Sequence, residues 1–267
     1  MTTEPGQQPP AEVLAAFGAP AVTPEPLPGG EGTSWRAGSI ALKPAVDERF
    51  ATWHAEVMDR VPEVGFRVAR PVAAHDGGWV HAGWSASLWI PGSHEHRWLD
   101  VVSAGEAFHR ALAEIDAPEF LAERGDPWAV GDRVAWGEEP VPLLGEAHDS
   151  LVRRLIDLRR PVELPPQLIH GDLTENVLFE DGLAPAVIDL APYRRPVGFA
   201  SAIVVGDALL WFNGDAHLAA SVAASVPVFG QFLVRALIYR LVTERVSGAT
   251  NASPGAEKAI GITAALA

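Results

Sequence analysis

The residues of this chain best suited to chemistry lie close together, within residues 168–190. Asp172 stands four residues before Asn176, and Asp189 follows Asn176 thirteen residues later. Carboxylate and amide oxygens are ligands of hard cations. Mg²⁺ usually takes one or two carboxylates and shares its remaining positions with water and phosphate. This order of side chains predicts a magnesium site, provided that the chain brings the three residues together.

A β-hairpin is the element that would bring them together. Two short apolar runs, 177–179 and 186–188, flank an Asp-Gly pair at 181–182, which is a tight-turn signal. Folding the ribbon about its midpoint, between residues 182 and 183, places Asn176 opposite Asp189, with the earlier carboxylate in the loop at the same end. The alternative is that these residues serve only as turn formers, as Asp, Asn and Gly often do.

The run His170-Gly-Asp172, followed by Asn176 and Asp189, resembles the catalytic loop and metal-binding aspartate of the aminoglycoside phosphotransferase-like kinases. These belong to the wider protein-kinase-like fold, which includes choline and fructosamine kinases. The resemblance implies an enzyme that transfers phosphate from ATP to a hydroxyl group of a small molecule. It implies that Asp172 is the base accepting the hydroxyl proton, and that Asn176 and Asp189 hold Mg²⁺ against the nucleotide phosphates. Such a reaction needs positioning and charge neutralisation more than covalent chemistry.

Two further residues are expected to support this loop. His170 is interpreted as structural, with its ring packing or hydrogen bonding beneath the loop. Asp207 lies in an otherwise apolar helical segment, where an unpaired carboxylate would be costly. By the resemblance, an acid at this position anchors the catalytic loop from below. The alternative for Asp207 is a half-exposed helix residue.

The resemblance also requires a lysine on a strand of the first lobe. Lys43 ends the β-type run 39–43, and the chain has only two lysines beside eighteen arginines. It would bridge the α- and β-phosphates and pair with an acid on the following helix. Helical projection places Glu56 at the border of that helix's apolar stripe. The alternative for Glu56 is a surface ion pair with Arg60 at i,i+4.

The remaining nucleotide contacts are expected from backbone groups. The glycine-rich turn of Gly29, Gly30 and Gly32 could cover the phosphates, because glycine permits close backbone approach. Its spacing departs from the protein-kinase pattern, so the turn is compatible with the resemblance without supporting it. Adenine is expected at a hinge around Leu88 and Ile90.

The elements around these residues predict an α+β, bilobal, protein-kinase-like fold. Residues 1–26 are expected to form a flexible lead-in. Residues 27–91 are expected to form a small, β-rich, nucleotide-binding N-lobe with one main helix. Residues 92–267 are expected to form a larger, mostly helical C-lobe with the catalytic hairpin and the acceptor site.

Composition excludes several functional classes. The chain of 267 residues has a formal net charge of −14, which argues against nucleic acid and anionic membranes as partners. It has no cysteine, so disulfides, thiolate metal sites and a cysteine nucleophile are excluded. No secretory signal or membrane-length apolar run is evident, so a cytoplasmic location is expected.

The acceptor is expected to be a small hydroxylated molecule. From residue 190 onward the chain has four acidic and six basic residues, which does not favour a polycationic aminoglycoside. Arg194 and Arg195 could recognise an anionic acceptor. They could equally be solvated loop arginines.

Two alternatives to an active kinase stay open. A catalytically inactive, kinase-like nucleotide-binding or scaffold protein would keep the fold without the reaction. The presence of Lys43, Asp172 and Asp189 favours catalysis. A metal-dependent hydrolase using His170 and Asp172 is less favoured, because no second His/Asp cluster has ligand spacing.

Overall fold

The computed structural model describes residues 6–27, 32–142 and 145–267. The chain forms two compact units. The first contains Met1–Ser93 and Leu178–Ile188, and the second contains His94–Val177 and Asp189–Ala267. Among the described residues, no helix has the length and apolar character that crossing a membrane requires.

The elements alternate in a mixed α and β order, as the sequence predicts. The strands are β1 Glu25–Pro26, β2 Trp35–Ala37, β3 Ile40–Pro44, β4 Arg67–Val68, β5 Pro71–Val72, β6 Val80–His81, β7 Trp84–Leu88, β8 Ser93–His94, β9 Gln167–His170, β10 Val177–Phe179, β11 Ala186–Val187 and β12 Pro192–Arg195. The helices are α1 Ala11–Ala16, α2 Glu48–Arg60, α3 Trp98–Leu112, α4 Pro127–Trp136, α5 Glu146–Leu158, α6 Gly198–Trp211, α7 Ala216–Ala223, α8 Phe229–Val246 and α9 Ala256–Ala264, with a short 3₁₀ helix at Glu119–Glu123.

The first unit is built on an antiparallel sheet of order β1-β2-β3-β7-β5, with β6 pairing onto β7. The pairing of β3 with β7 sets Lys43 opposite Ser85. Helix α2 begins after Asp47, whose carboxylate accepts a hydrogen bond from the backbone N–H of Phe50 at 3.1 Å. This sheet and helix form the small β-rich body that the sequence predicts.

Helix α1 packs into the core of the first unit. Val13, Leu14 and Phe17 are buried, and they belong to one apolar cluster with Leu42 and Trp84. The sequence predicts a flexible lead-in over residues 1–26. Over α1 the structure differs, because its apolar side chains are buried in the cluster with the sheet, and burying such side chains stabilises the fold.

The predicted hairpin is present, and it pairs with a strand from early in the chain. Strands β10 and β11 are neighbours in a sheet of order β4-β11-β10-β8. The turn between them is closed by the N–H of Leu183 donating to the carbonyl of Glu180 at 3.1 Å, and Gly182 adopts φ +76°. Because β11 pairs in parallel with β4, residues 178–188 pack with the first unit instead of the second.

The second unit is helical and is organised around two buried helices. Twelve consecutive residues of α6, from 199 to 210, are buried, and so are residues 229–243 of α8. Helix α8 packs against α4, α5 and α6. A helix that is buried on every side carries no amphipathic signal, and a polar residue within it needs a partner.

Candidate functional site

The loop after β9 carries the first group of predicted site residues. Strand β9 pairs with β12, so that His170 lies opposite Pro192. The N–H of Gly171 continues this pairing by donating to the carbonyl of Ala191 at 2.8 Å. A Cβ atom on Gly171 would overlap the ring of Tyr193, so this close approach requires glycine.

His170 supports the loop from the interior. It is fully buried, and its Nδ1 accepts a hydrogen bond from the backbone N–H of Asp172 at 3.1 Å. Its own backbone N–H donates to Nε2 of His109 at 3.0 Å. Two imidazoles therefore connect α3 to the start of the loop.

His109 was not found by the sequence reasoning. It lies on the buried face of α3, with 1% of its surface exposed. Burial, assisted by the neighbouring charge of His170, lowers the pKa of His109 from 6.5 to about 3. A neutral ring that accepts at Nε2 carries its proton on Nδ1. The signal that could have identified it is a histidine three residues before Leu112, among the apolar positions of α3.

Asn176 is bonded directly to Asp172, as the four-residue spacing predicts for a shared loop. Its Nδ2 donates to the backbone carbonyl of Asp172 at 2.7 Å and to its carboxylate at 3.4 Å. Because the amide nitrogen faces Asp172, the amide oxygen is directed away from that residue. An oxygen in this position can serve as a ligand for a hard cation.

Asp189 follows β11 and has an unusual backbone conformation. It is exposed, and its φ of +51° lies in the left-handed region. A non-glycine residue there is held at a cost of roughly 1–3 kcal/mol, and such residues are concentrated at functional sites. The register that would set Asn176 opposite Asp189 stays a prediction, although β10 and β11 are neighbours.

The oxygen donors of Asn176 and Asp189 suit Mg²⁺ better than a metal ion whose ligands all come from the protein. Among residues 6–27, 32–142 and 145–267, no group of three or more histidine or carboxylate side chains surrounds one point. Mg²⁺ is commonly held by one or two carboxylates together with phosphate oxygens and water. The amide oxygen of Asn176 and the carboxylate of Asp189 match that mode.

A buried arginine connects Asp172 to Asp207. Nη2 of Arg240 donates to Oδ1 of Asp172 at 2.6 Å and to Oδ2 of Asp207 at 2.7 Å, and its Nε donates to Oδ1 of Asp207 at 2.7 Å. The side chains of Arg240 and Asp207 are 7% and 1% exposed, whereas that of Asp172 is 39% exposed. The sequence analysis expects Asp207 to support the loop from below, and Asp207 contacts it through this guanidinium.

Arg240 and Asp207 strongly affect each other's pKa values. Burial alone would lower the pKa of Arg240, but the Asp207 carboxylate, with Tyr239 and Asp172, raises it well above its ordinary value. Burial raises the pKa of Asp207, and the hydrogen bonds and charge of Arg240 oppose that rise. The guanidinium is therefore cationic, and it holds two carboxylates at once.

Two of the predicted nucleotide-binding residues of the first unit, Lys43 and Glu56, lie on β3 and α2. Lys43 is half-buried on β3. Glu56 on α2 lies 3.7 Å from Arg60, which is the i,i+4 pair named as its alternative role. Gly32 adopts φ +68°, while Gly29 and Gly30 fall outside the described residues.

The predicted adenine segment begins at the last residue of β7. This residue, Leu88, has a side chain that is 46% exposed. The backbone N–H of Leu88 donates to the carbonyl of Arg70 at 2.7 Å, and that of Trp89 donates to the carbonyl of Ser39 at 2.9 Å. These bonds hold the end of the strand, and Ile90 follows it half-buried.

Arg195 does not have the anion-binding role suggested for it. Its guanidinium binds both oxygens of Asp132 and pairs with Glu138. Asp132 is buried, so the arginine is needed to neutralise it. Arg194, its neighbour on β12, is exposed.

Sequence comparison then decides the family. Residues 42–194 match the sequence model of the APH family, which is described as a phosphotransferase enzyme family. The chain belongs to this family. The matched segment of the phosphotransferase includes Lys43, Asp172, Asn176 and Asp189, and it ends before Asp207. A search of curated proteins found no sequence match.

Solved structures agree with the fold of this phosphotransferase. Spectinomycin phosphotransferase APH(9)-Ia, in complex with ADP and spectinomycin, is 14% identical with a TM-score of 0.58, covering 95% of this chain and 92% of that one. Aminoglycoside phosphotransferase APH(4)-Ia, in a ternary complex with AMP-PNP and hygromycin B, is 15% identical with a TM-score of 0.58, covering 96% of both chains. A choline/ethanolamine kinase family protein from Mesorhizobium loti is 18% identical with a TM-score of 0.58, covering 96% of this chain and 92% of its own. The predicted protein-kinase-like fold is confirmed.

Proposed function

We propose that this phosphotransferase moves the γ-phosphate of ATP to a hydroxyl group of a small molecule. The observation that carries the proposal is the direct contact between Asp172 and Asn176, in a half-exposed loop within the segment that matches the family. The structurally similar proteins crystallised with ADP or AMP-PNP together with an antibiotic support a nucleotide and a small acceptor as the two substrates.

Asp172 would act as the base for the acceptor hydroxyl. Oδ1 is held by Arg240 at 2.6 Å, whereas Oδ2 accepts a longer hydrogen bond of 3.4 Å from Asn176, so Oδ2 would be the atom that accepts the proton. The loop is fixed by His170 and Asn176, so the carboxylate needs little reorganisation when the acceptor binds. A positioned base of this kind contributes about 10²–10⁴ to the rate.

Asn176 and Asp189 would hold Mg²⁺. When bound, the ion neutralises charge on the phosphates during transfer. The amide oxygen of Asn176 already faces away from Asp172, so this residue would bind without rearrangement of its side chain. Asp189 is an exposed residue with a left-handed backbone directly after the hairpin.

The nucleotide would be held by residues of the first unit. Lys43 would contact the phosphates, and Gly32 would approach them through its backbone. Glu56 would have to exchange its ion pair with Arg60 for one with Lys43 to act as the partner of the lysine. Leu88 would cover one face of adenine, because its exposed side chain gains by burial. The N–H groups of Leu88 and Trp89 already donate to Arg70 and Ser39, so we assign the backbone of Ile90 to the contact with the base.

Acceptor-dependent release of ADP tests the proposal. Wild-type protein is assayed with Mg²⁺ and ATP against sugars, amino sugars, choline-like alcohols and nucleosides. At least one class should stimulate ADP release, and Asp172→Asn should abolish that stimulation. Asp181→Asn, in the exposed hairpin turn, is the matched control and should retain activity. Nucleotide binding without turnover on any acceptor would favour the inactive nucleotide-binding alternative.

A further inference from the structure

One aromatic side chain next to the Asp172 group is half-open to solvent. Trp211 is the last residue of α6 and is 42% exposed, whereas the twelve residues before it are buried. Its Nε1–H donates to the hydroxyl of Ser253 at 2.5 Å. The hydroxyl of Ser253 in turn bonds the carboxylate of Glu244. The indole is therefore exposed and also held in one orientation.

The same indole contacts the arginine that binds Asp172. The guanidinium carbon of Arg240 lies 5.6 Å from the centre of the Trp211 ring, within cation–π range. Its terminal nitrogen lies 2.6 Å from Oδ1 of Asp172. Arg240 thus contacts both the exposed indole and the proposed base.

A second group of aromatic side chains begins at Phe212, the residue after Trp211. The ring of Phe212 packs against Trp98 at 5.3 Å and against His96 at 4.5 Å, measured between ring centres. His96 and Trp98 are stacked on each other at 4.9 Å. Rings of this kind bury a large apolar area at a low cost in side-chain freedom.

Three carboxylates near Trp211 are already bound within the protein, so they do not suit a polycationic acceptor. The carboxylates of Asp172 and Asp207 are both bound by Arg240, so their negative charge is already partly neutralised. Glu244 is bonded to Ser253 and lies 3.6 Å from His148. A multiply charged amino sugar would need several unpaired carboxylates to replace the water that it loses.

We propose that Trp211 forms one wall of the acceptor site, and that the acceptor carries a planar or apolar face beside the hydroxyl that receives phosphate. This inference rests on the proposed function, and it narrows the acceptor to aromatic, heteroaromatic or apolar alcohols. Trp211 and Arg240 lie outside the segment matched by the family, at 42–194, so this wall belongs to the part of the chain that the family comparison does not cover. An indole held by its N–H can stack without reorganising.

The kinetic test compares Trp211→Ala with Trp211→Phe. Aryl alcohols, nucleosides, polyols and amino sugars are assayed at saturating ATP. For planar acceptors, Trp211→Ala should raise KM about tenfold, the size of a lost stacking contact, while kcat and the KM for ATP change little. Trp211→Phe should stay within about threefold of wild type because it keeps a ring. Leu183→Ala, which truncates a 50% exposed apolar side chain in the hairpin turn, should change neither constant.

A binding measurement separates this inference from the proposed function. The same compounds are titrated calorimetrically into Asp172→Asn, with and without Trp211→Ala. Planar compounds that bind in a Trp211-dependent way while wild type transfers no phosphate would support the wall and overturn the kinase. Turnover with an unchanged KM in Trp211→Ala, or with amino sugars as the best acceptors, would overturn the wall alone. Neither binding nor turnover with any compound would overturn both.

Discussion

Arg240 binds Asp172 through a hydrogen bond of 2.6 Å between residues 68 positions apart. The arginine comes from a buried helix, and the aspartate is a half-buried residue of the loop after β9. The orientation of the proposed base is thus set by the core of the second unit as well as by its own loop. This contact links the stability of the helical unit to the geometry of the reaction.

Replacing Asp172 tests its role as the base. We expect Asp172→Asn to lower acceptor-dependent ADP formation by about 10²–10⁴, because the amide cannot accept the hydroxyl proton. The affinity for ATP should be nearly unchanged, and calorimetry would measure it. A variant that keeps wild-type turnover would remove Asp172 from the reaction.

Breaking the buried pair between Arg240 and Asp207 tests the core of the site. Asp207→Asn should lower the free energy of unfolding by about 3–5 kcal/mol, since it leaves a buried guanidinium incompletely paired. The double variant Asp207→Leu/Arg240→Met should lose less unfolding free energy than the sum of the losses in Asp207→Leu and in Arg240→Met. Urea unfolding followed by circular dichroism measures both.

The exposed pair of Arg154 and Glu257 is the matched control for that experiment, with side chains 47% and 71% exposed. Glu257→Gln should cost less than about 1 kcal/mol, because solvent screens an exposed ion pair. Equal losses at the buried and exposed pairs would contradict the interpretation.

The pKa of His109 predicts how stability depends on pH. Burial lowers this pKa from 6.5 to about 3, so the unfolded chain binds a proton in that range and the folded protein does not. The contribution of His109 to the free energy of unfolding is complete above pH 6.5. It is lost as the pH falls, by about 1.4 kcal/mol per pH unit. His109→Gln should show a shallower fall in unfolding free energy between pH 6.5 and 5 than wild type. His75→Gln, which removes an exposed imidazole, is the control, and identical slopes for His109→Gln and wild type would refute the prediction.

Gly171 is predicted to tolerate no side chain. In Gly171→Ala the new methyl group would overlap the buried ring of Tyr193, so either the loop or the ring must move. We expect a loss of about 1–3 kcal/mol in stability together with reduced turnover. Gly261→Ala is the control, because its methyl group meets no atom within 4 Å and lies in helix α9. That change should leave stability equal or slightly higher, and thermal unfolding would measure both variants.

Local patterns in the sequence were enough to predict the loop and the hairpin. The contact of Asn176 with Asp172 follows from their spacing, and the turn at Gly182 follows from the Asp-Gly pair. These features depend on neighbouring residues, whose preferences for turns and strands are readable.

Contacts between distant segments could not be predicted in the same way. Arg240 is one arginine in a helix buried on all sides, and no periodic pattern marks which carboxylate it meets. The same holds for His109, whose partner is a backbone N–H 61 residues away. The burial of α1 also depends on tertiary packing, since its six residues are too few to form a stable helix alone.

The parallel pairing of β11 with β4 limits how this protein can be divided into fragments. The chain changes unit after residues 93, 177 and 188, so neither unit is one continuous stretch of polypeptide. A fragment starting at residue 94 would carry the hairpin without β4, leaving the backbone of β11 as an open edge that invites aggregation. Recombinant halves or gene chimaeras should therefore keep residues 67–68 and 186–187 in the same polypeptide.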